Sequence, residues 1–356
     1  MLKWVVAVLL LLAGGGLPAF AERAAPEISG AGVHKDTYPP RVVSFADGVR
    51  GFAAIPYWAA RGFRPLTLDL YLPPQTVPRG AGGLPLVVFI HGGAWVTGTS
   101  RGNRPFVDFP GVLAALAARG YAVASINYRF VNEARYPAQI QDVKSALRFL
   151  RRHADTYGID AARTVVWGTS AGGFLAAMAG VSCGVAALAP PLKAGDGQGP
   201  DTAQAACVQG VVAWYGVFDM ETLADQARSV GALSRDKAWA PEWALLGCFK
   251  AGCSPEQIRL ASPVSLVTPQ TPPMLLIAGD ADKIVPVQQT TEMAARLKEA
   301  KVRHEMIVMP GIRHSLLGNT PQATREANLK ALAATLRFID ETIGNGAGKV
   351  GNVTEK

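Results

Sequence analysis

The sequence TVVWGTSAGGFL, residues 164–175, places a G-x-S-x-G pattern between an apolar run and a run with helical character. The pattern predicts a strand at 164–167 and a helix at 172–179. A serine at so sharp a strand-to-helix turn has a strained backbone, and bulky neighbours would collide with the adjoining strand and helix. The start of the helix also favours developing negative charge. Ser170 is therefore a predicted nucleophile; the alternative is a serine that merely caps the helix.

Strand-like and helix-like runs alternate on both sides of this turn. The further predicted strands are 64–72, 86–90, 121–126, 210–214, 274–278 and 304–309, and the further predicted helices are 112–118, 137–153, 288–299 and 321–341. The run LVVFI at 86–90 is typical of a strand covered on both faces, whereas 64–72 alternates as a half-buried edge strand would. Thr320 is the expected N-cap of the last helix. This alternation predicts an α/β fold with a mostly parallel central sheet and helices on both faces.

A second glycine pattern, HGGAW at 91–95, follows the most apolar predicted strand. A loop at this place can supply half of an oxyanion hole. Gly92 and Gly93 have no side chains, so their peptide groups can approach a substrate. We expect the backbone amides of Gly92, Gly93 and Ala171 to donate hydrogen bonds to an oxyanion, and one such donor commonly lowers the barrier by about 3 kcal/mol. His91 itself is expected to hold the loop by hydrogen bonding.

The acid and the base should follow the nucleophile in the chain, with the acid first. Asp282 comes just after the apolar run MLLIA, and His314 comes just after the predicted strand at 304–309. Both residues therefore fall on loops at the sheet edge that carries Ser170. His314 is the predicted base and Asp282 the predicted acid that orients it. Asp219, which also follows a strand, remains an alternative acid.

The other titratable groups do not suggest a metal or cofactor site. His34, His153 and His304 are expected on the surface or satisfied in the core, and Asp280 is expected to cap a turn. The histidines are dispersed, without an H-x-x-x-H pattern or clusters of acidic ligands. No G-x-G-x-x-G pattern follows a strand. The sequence therefore predicts neither a metal ion nor a nucleotide cofactor.

Residues 1–21 have the pattern of a cleaved export signal. Lys3 gives a positive start, residues 4–12 are apolar, and AFA at 19–21 is a suitable cleavage site. The apolar run is too short to cross a bilayer unaided. We expect a periplasmic or secreted protein without a stable membrane anchor; the alternatives are an anchor or a buried core strand.

The predicted export suggests that the four cysteines form disulfides. An even number in an oxidising compartment suggests two disulfides, although three pairings are possible. The local pairs Cys183–Cys207 and Cys248–Cys253 are favoured, and four free thiols are the alternative. None of the four has the spacing of a zinc or redox site.

The remaining sequence suggests one catalytic domain at 51–343, preceded by an irregular lead-in at 22–50 and followed by a flexible tail at 344–356. Two irregular insertions, 183–207 and 224–263, are expected to lie over the carboxyl edge of the sheet and to select the substrate. The net charge of +8 comes from scattered basic residues without interleaved aromatics. No nucleic-acid partner is therefore expected.

These motifs together resemble a known family. HGGAW, NYR at 127–129 and the stretch 136–173 strongly resemble bacterial carboxylesterases of the hormone-sensitive-lipase-like and feruloyl-esterase-like branch of the α/β-hydrolase fold. VVAWYGVFDM, LASPVSLV and PPMLLIAGDADKIVPVQQT resemble the feruloyl-esterase-like members in particular. The resemblance runs from about residue 67 to 339, whereas the cysteines and the 183–207 insertion depart from the commonest pattern.

The resemblance implies a serine carboxylesterase that acts on a small-molecule ester. It assigns the nucleophile, acid and base to Ser170, Asp282 and His314, and the oxyanion donors to the amides already named. A serine peptidase of the same fold and a non-catalytic binding protein on this scaffold are the competing interpretations.

Overall fold

The computed structural model describes residues 41–59, 64–80, 82–190, 206–235, 240–249 and 252–344. Within these ranges nine strands form one sheet in the order β1-β2-β3-β5-β4-β6-β7-β8-β9. The strands are β1 (Arg41–Ser44), β2 (Arg50–Trp58), β3 (Leu66–Leu72), β4 (Leu84–Ile90), β5 (Ala122–Ile126), β6 (Ile159–Thr169), β7 (Gly210–Trp214), β8 (Met274–Gly279) and β9 (His304–Met309). The helices are α1 (Phe109–Ala118), α2 (Ala138–Arg152), α3 (Ala154–Tyr157), α4 (Ala171–Val181), α5 (Leu223–Ser229), α6 (Pro241–Leu246), α7 (Pro255–Leu260), α8 (Val287–Glu299) and α9 (Pro321–Ile343).

Six neighbouring strands, from β5 to β9 in the sheet order, are parallel, and three antiparallel strands extend one side. Every residue of β4, β7 and β8 is buried, because α2, α4 and α8 cover one face of the sheet and α1 and α9 cover the other. The predicted fold class, a mostly parallel sheet between two layers of helices, is confirmed.

The prediction that 64–72 forms an edge strand is wrong. β3 is the third strand of the sheet, because β2 pairs with it and β1 pairs with β2. β1 itself lies in the stretch that was expected to be an irregular lead-in. The alternation in β3 arises from polar side chains that have partners inside the protein: Asp69 accepts hydrogen bonds from Ala54 N at 2.7 Å and from Ser100 Oγ at 2.8 Å.

The prediction that the 183–207 insertion lies over the carboxyl edge is also wrong for its described ends. Helix α4 begins at the carboxyl end of β6 and returns the chain to the opposite edge, where it ends at Val181. Strand β7 then begins at Gly210 and runs parallel to β6. Both ends of the insertion are therefore at the amino edge, where Cys183 Sγ is bonded to Cys207 Sγ.

The 224–263 insertion does lie at the carboxyl edge, as predicted, because it follows the end of β7. Tyr136, just before α2, donates hydrogen bonds from its amide to Leu245 O at 2.9 Å and from its hydroxyl to Leu260 O at 2.7 Å. In this segment the sulfurs of Cys248 and Cys253 are bonded to each other, so both disulfides match the favoured pairs.

Some predictions fall outside the described residues: the export signal, the lead-in before residue 41, His34, residues 191–205 of the first insertion and the tail from 345. Among the helices that the structure does describe, none combines the length and apolar character that a bilayer crossing requires.

Candidate active site

The nucleophile turn connects β6 to α4. Ser170 has φ 54° and ψ −119°, and its amide donates to Trp214 O at 2.9 Å in the neighbouring strand. A Cβ atom at Gly168 would lie 2.0 Å from Gly172 O, and one at Gly172 would lie 2.0 Å from Ile90 O. The two glycines therefore let the strand, the turn and the helix approach closely enough to hold Ser170 in this strained conformation.

His314 lies between the serine and a buried carboxylate. Its Nε2 is 3.0 Å from Ser170 Oγ, and its Nδ1 is 2.7 Å from Asp282 Oδ2. A carboxylate can only accept, so Nδ1 carries a proton and donates to Asp282. Nε2 is then left with a lone pair that can accept the proton of the Ser170 hydroxyl. The arrangement can therefore act as a nucleophile, a base and an orienting acid.

The acid loop, residues 280–286 between β8 and α8, fixes the direction of the Asp282 carboxylate. Asp282 Oδ1 accepts hydrogen bonds from Ile284 N at 2.7 Å and Val285 N at 2.9 Å, which leaves Oδ2 for the histidine. The alternative acid, Asp219, instead accepts from Glu221 N at 2.8 Å. Of the two candidate acids, the structure therefore brings Asp282 to the imidazole.

The loop that carries the histidine is fastened to the acid loop. Asp280 caps it, as expected, because its Oδ1 accepts from Gly311 N at 2.7 Å. Ala281 N donates to Ile312 O at 3.1 Å. These two bonds connect the ends of β8 and β9 and so set the position of His314 relative to Asp282.

Tyr215, which is absent from the predicted site, packs against the imidazole. Its ring meets His314 edge-on at 4.9 Å between centroids, and its hydroxyl interacts with the side chains of Thr169 and Ser315. Burial raises the pKa of this phenol well above its ordinary value, so the hydroxyl stays protonated. Its place directly after β7, at the edge that carries Ser170, is the sequence signal that could have identified it.

The HGGAW loop lies against the nucleophile turn. A Cβ atom at Gly92 would lie 2.8 Å from Thr169 O and 3.2 Å from Ser170 Cβ. Gly93 has φ +113°, a conformation that favours glycine. Ala171 is the first residue of α4, so its amide has no partner within the helix. The predicted oxyanion donors are thus close to Ser170, and their role stays a prediction.

His91 holds this loop, as the sequence predicted. Its Nδ1 is 2.7 Å from Gly92 O, its ring stacks on Tyr128 at 4.4 Å, and Tyr128 Oη donates to His91 O at 3.0 Å. Burial lowers the pKa of His91 to about 4, so the ring is neutral near pH 7. The Gly92 carbonyl and the Gly93 N–H belong to one planar peptide, so this hydrogen bond also sets the direction of the Gly93 N–H.

Comparison with known proteins places this fold and site in a family. The family model BD-FAE matches residues 68–297, more than half of the chain. The chain belongs to the BD-FAE family. The matched region contains Ser170 and Asp282, whereas His314 lies beyond its end. The BD-FAE match agrees with the esterase resemblance deduced from the motifs.

Relatives of this BD-FAE chain include named esterases. Esterase LipC of Mycobacterium tuberculosis is 35% identical over 233 residues, which cover 65% of this chain and 52% of LipC. Esterase LipQ of the same organism is 30% identical and is also covered over 52% of its length. The chain thus spans about half the length of these curated relatives. Among solved structures, a truncated carbohydrate esterase from gut microbiota has a TM-score of 0.64 and 28% identity, with 82% of this chain and 95% of that one covered.

Proposed function

We propose that this chain hydrolyses carboxylic esters through an acyl-enzyme on Ser170. The observation that carries the proposal is the chain of hydrogen bonds through His314, with 3.0 Å from Nε2 to Ser170 Oγ and 2.7 Å from Nδ1 to Asp282 Oδ2. Membership of the BD-FAE family and the esterase names of several relatives support the class of bond.

In the acylation step, Nε2 of His314 takes the hydroxyl proton as Ser170 Oγ attacks the ester carbonyl carbon. The carbonyl oxygen becomes an oxyanion, which accepts hydrogen bonds from the amides of Gly92, Gly93 and Ala171. When the tetrahedral intermediate collapses, the carbon–oxygen bond to the alcohol breaks and His314 gives its proton to the leaving oxygen.

In the deacylation step, His314 removes a proton from water, and the hydroxyl attacks the acyl carbon on Ser170. Collapse releases the carboxylic acid and returns the proton to Ser170 Oγ. Asp282 stabilises the imidazolium in both steps and keeps the imidazole in the tautomer with Nδ1 protonated.

The substrate we propose is a small-molecule ester, selected in part by the 224–263 insertion at the same edge as Ser170. A structural relative is named as a carbohydrate esterase, so acylated sugars belong in the substrate panel beside simple alkyl and aryl esters.

The proposal is tested by replacing Ser170 with alanine and following hydrolysis of p-nitrophenyl acetate and butyrate. Removal of the nucleophile should lower kcat by at least about 10⁴-fold, with an unchanged circular dichroism spectrum. Asp219→Asn, which removes the acid that does not reach His314, is the matched control and should keep nearly all activity. A Ser170→Ala variant that hydrolyses these esters at the wild-type rate would refute the mechanism.

Two further assays separate the competing functions. A fluorophosphonate probe should label Ser170, whereas a non-catalytic binding protein would remain unlabelled. Hydrolysis of esters should greatly exceed hydrolysis of aminoacyl amides, and the reverse preference would indicate a peptidase.

We further infer that the protein is exported. The export pattern at 1–21 and the pairing of all four cysteines support this, because disulfides persist in oxidising compartments. After expression of the full chain in a bacterium, mass spectrometry of the unreduced protein outside the cytoplasm should find a chain that begins at Glu22 and contains no alkylatable thiols. An uncleaved chain that stays in the cytoplasm with four alkylated cysteines would count against export.

A further inference from the structure

A buried ion pair lies in the insertion between β7 and β8. Arg235 Nη1 is 3.2 Å from Glu242 Oε2, and the two side chains are only 8% and 1% exposed. Trp243 Nε1 also donates to Arg235 O at 2.9 Å. Helix α6, which carries Glu242 and Trp243, therefore holds both the backbone and the guanidinium of Arg235. Removing both charges from water costs about as much free energy as their attraction returns, so the pair is not explained by a gain in folding stability.

The same guanidinium reaches the acid loop. Its Nη2 donates a hydrogen bond to Ile284 O. The Ile284 carbonyl and the Val285 N–H belong to one peptide group, and Val285 N donates to Asp282 Oδ1 at 2.9 Å. In a trans peptide the C=O and N–H bonds point in opposite directions within one plane. A single planar group thus separates Arg235 from the carboxylate that faces His314.

Neighbouring contacts keep the two segments side by side. Leu233 N donates to Lys283 O at 3.1 Å, and Lys283 Nζ donates to Val230 O. The chain from Val230 to Arg235 therefore lies along the acid loop, and the guanidinium contact is the end of a continuous set of bonds.

We propose that Arg235 is a positioning residue for Asp282. By holding the Ile284 carbonyl, it fixes the plane of the next peptide, aims the Val285 N–H at Oδ1, and so keeps Oδ2 directed at His314. Glu242 supplies the counter-charge that allows a guanidinium to be buried there. This inference rests on the proposed esterase function, because it concerns the orientation of that site's acid.

The central variant is the double replacement Arg235→Met/Glu242→Gln. It removes the hydrogen bond to Ile284 O without leaving an unpaired buried charge, and the summed charge of the pair stays zero. A misplacement of a reactive group by about 1 Å, even when its cause lies far from the chemistry, can cost about 100-fold in rate. We expect kcat for p-nitrophenyl butyrate to fall by about 10–100-fold, with KM changed less than about twofold. The matched control is Arg259→Met/Glu256→Gln, which makes the same replacements in an exposed ion pair of α7 in the same insertion and should keep kcat near the wild-type value.

A pH profile distinguishes positioning from a general loss of structure. The acidic limb of kcat/KM reports the imidazole of His314 in the free enzyme. If the carboxylate is held less well, the imidazolium is stabilised less, and the limb of the double variant should move to lower pH. Arg235→Lys retains one donor to Ile284 O and should recover part of kcat.

The inference is overturned if the double variant folds, by circular dichroism and thermal unfolding, and has the wild-type kcat and the wild-type acidic limb. Should the double variant fail to fold, Arg235→Met/Glu242→Met decides, because it also removes the donor to Ile284 O and replaces the whole pair by apolar side chains. A kcat equal to that of the wild type in this variant overturns the inference. Failure of the underlying function is seen separately, in a Ser170→Ala variant that retains activity. Loss of activity in Ser170→Ala together with full activity in the Arg235 variants would refute only the positioning role.

Discussion

Acidification should destabilise this protein through His91, the first residue of the HGGAW loop. Burial lowers the pKa of this side chain from 6.5 to about 4, because the charged ring would be removed from water. In the unfolded chain the ordinary value applies. Between about pH 6.5 and pH 4 the unfolded state therefore binds a proton that the folded state does not, and the free energy of unfolding falls as the pH falls.

The magnitude follows from the two pKa values. At about 1.4 kcal/mol for each pH unit between them, the loss reaches about 3 kcal/mol by pH 4. Above pH 6.5 the ring is neutral in both states, so its linkage contributes no further change. A loss of about 3 kcal/mol is a large part of the 5–15 kcal/mol, roughly, by which a typical domain is stable.

The assay is denaturant unfolding at closely spaced pH values from 4 to 8, for the wild type and for His91→Asn. The asparagine amide nitrogen takes the place of Nδ1 and retains a donor for Gly92 O, but it does not titrate. The variant starts less stable because the stacking on Tyr128 is lost, yet the difference between the two proteins should narrow by about 3 kcal/mol between pH 6.5 and pH 4. Parallel pH curves for the two proteins would refute the assignment of this linkage to His91.

The two disulfides should differ in their contribution: the chain-entropy relation gives about 3.5 kcal/mol for Cys183–Cys207, which closes 24 residues, and about 2 kcal/mol for Cys248–Cys253, which closes 5. Unfolding of the two paired serine variants measures this order, and a larger loss from the shorter loop would contradict it. Gly92→Ala should lower kcat by at least about 10-fold, since its Cβ would lie 2.8 Å from Thr169 O and force the HGGAW loop, with its predicted oxyanion donors, away from Ser170. Gly252→Ala, where the added methyl meets nothing within 4 Å, is the control, and equal kcat values would show that the loop need not approach so closely.

Much of the fold could be predicted because local patterns determine it. Fully apolar runs such as LVVFI occur where helices cover both faces of a sheet. The last helix begins at Pro321, and Thr320 Oγ1 accepts from Ala323 N at 3.0 Å, as its cap was expected to do. The order of strand ends along the chain also predicted which loops bring Ser170 and His314 together.

The predictions that were wrong, and the contact that the sequence did not indicate, depend on residues that are distant from each other in the chain. Polar residues of β3 suggested an exposed face, but Asp69 is satisfied by Ser100, 31 residues away. The described ends of the 183–207 insertion lie at the amino edge because α4 returns the chain across the sheet, and no local pattern marks that return. The contact between Arg235 and Ile284 spans 49 residues, and no local pattern marks a guanidinium that will meet a carbonyl in another loop.

The bonds between the 230–235 stretch and the acid loop limit how this protein could be re-engineered. A chimera that exchanged the insertion for the equivalent piece of a relative, in search of new selectivity, would also exchange the contacts that hold the loop of Asp282. Grafts that preserve the backbone of Leu233 and the guanidinium at 235 should therefore retain turnover, whereas freely designed replacements should bind new esters yet convert them slowly.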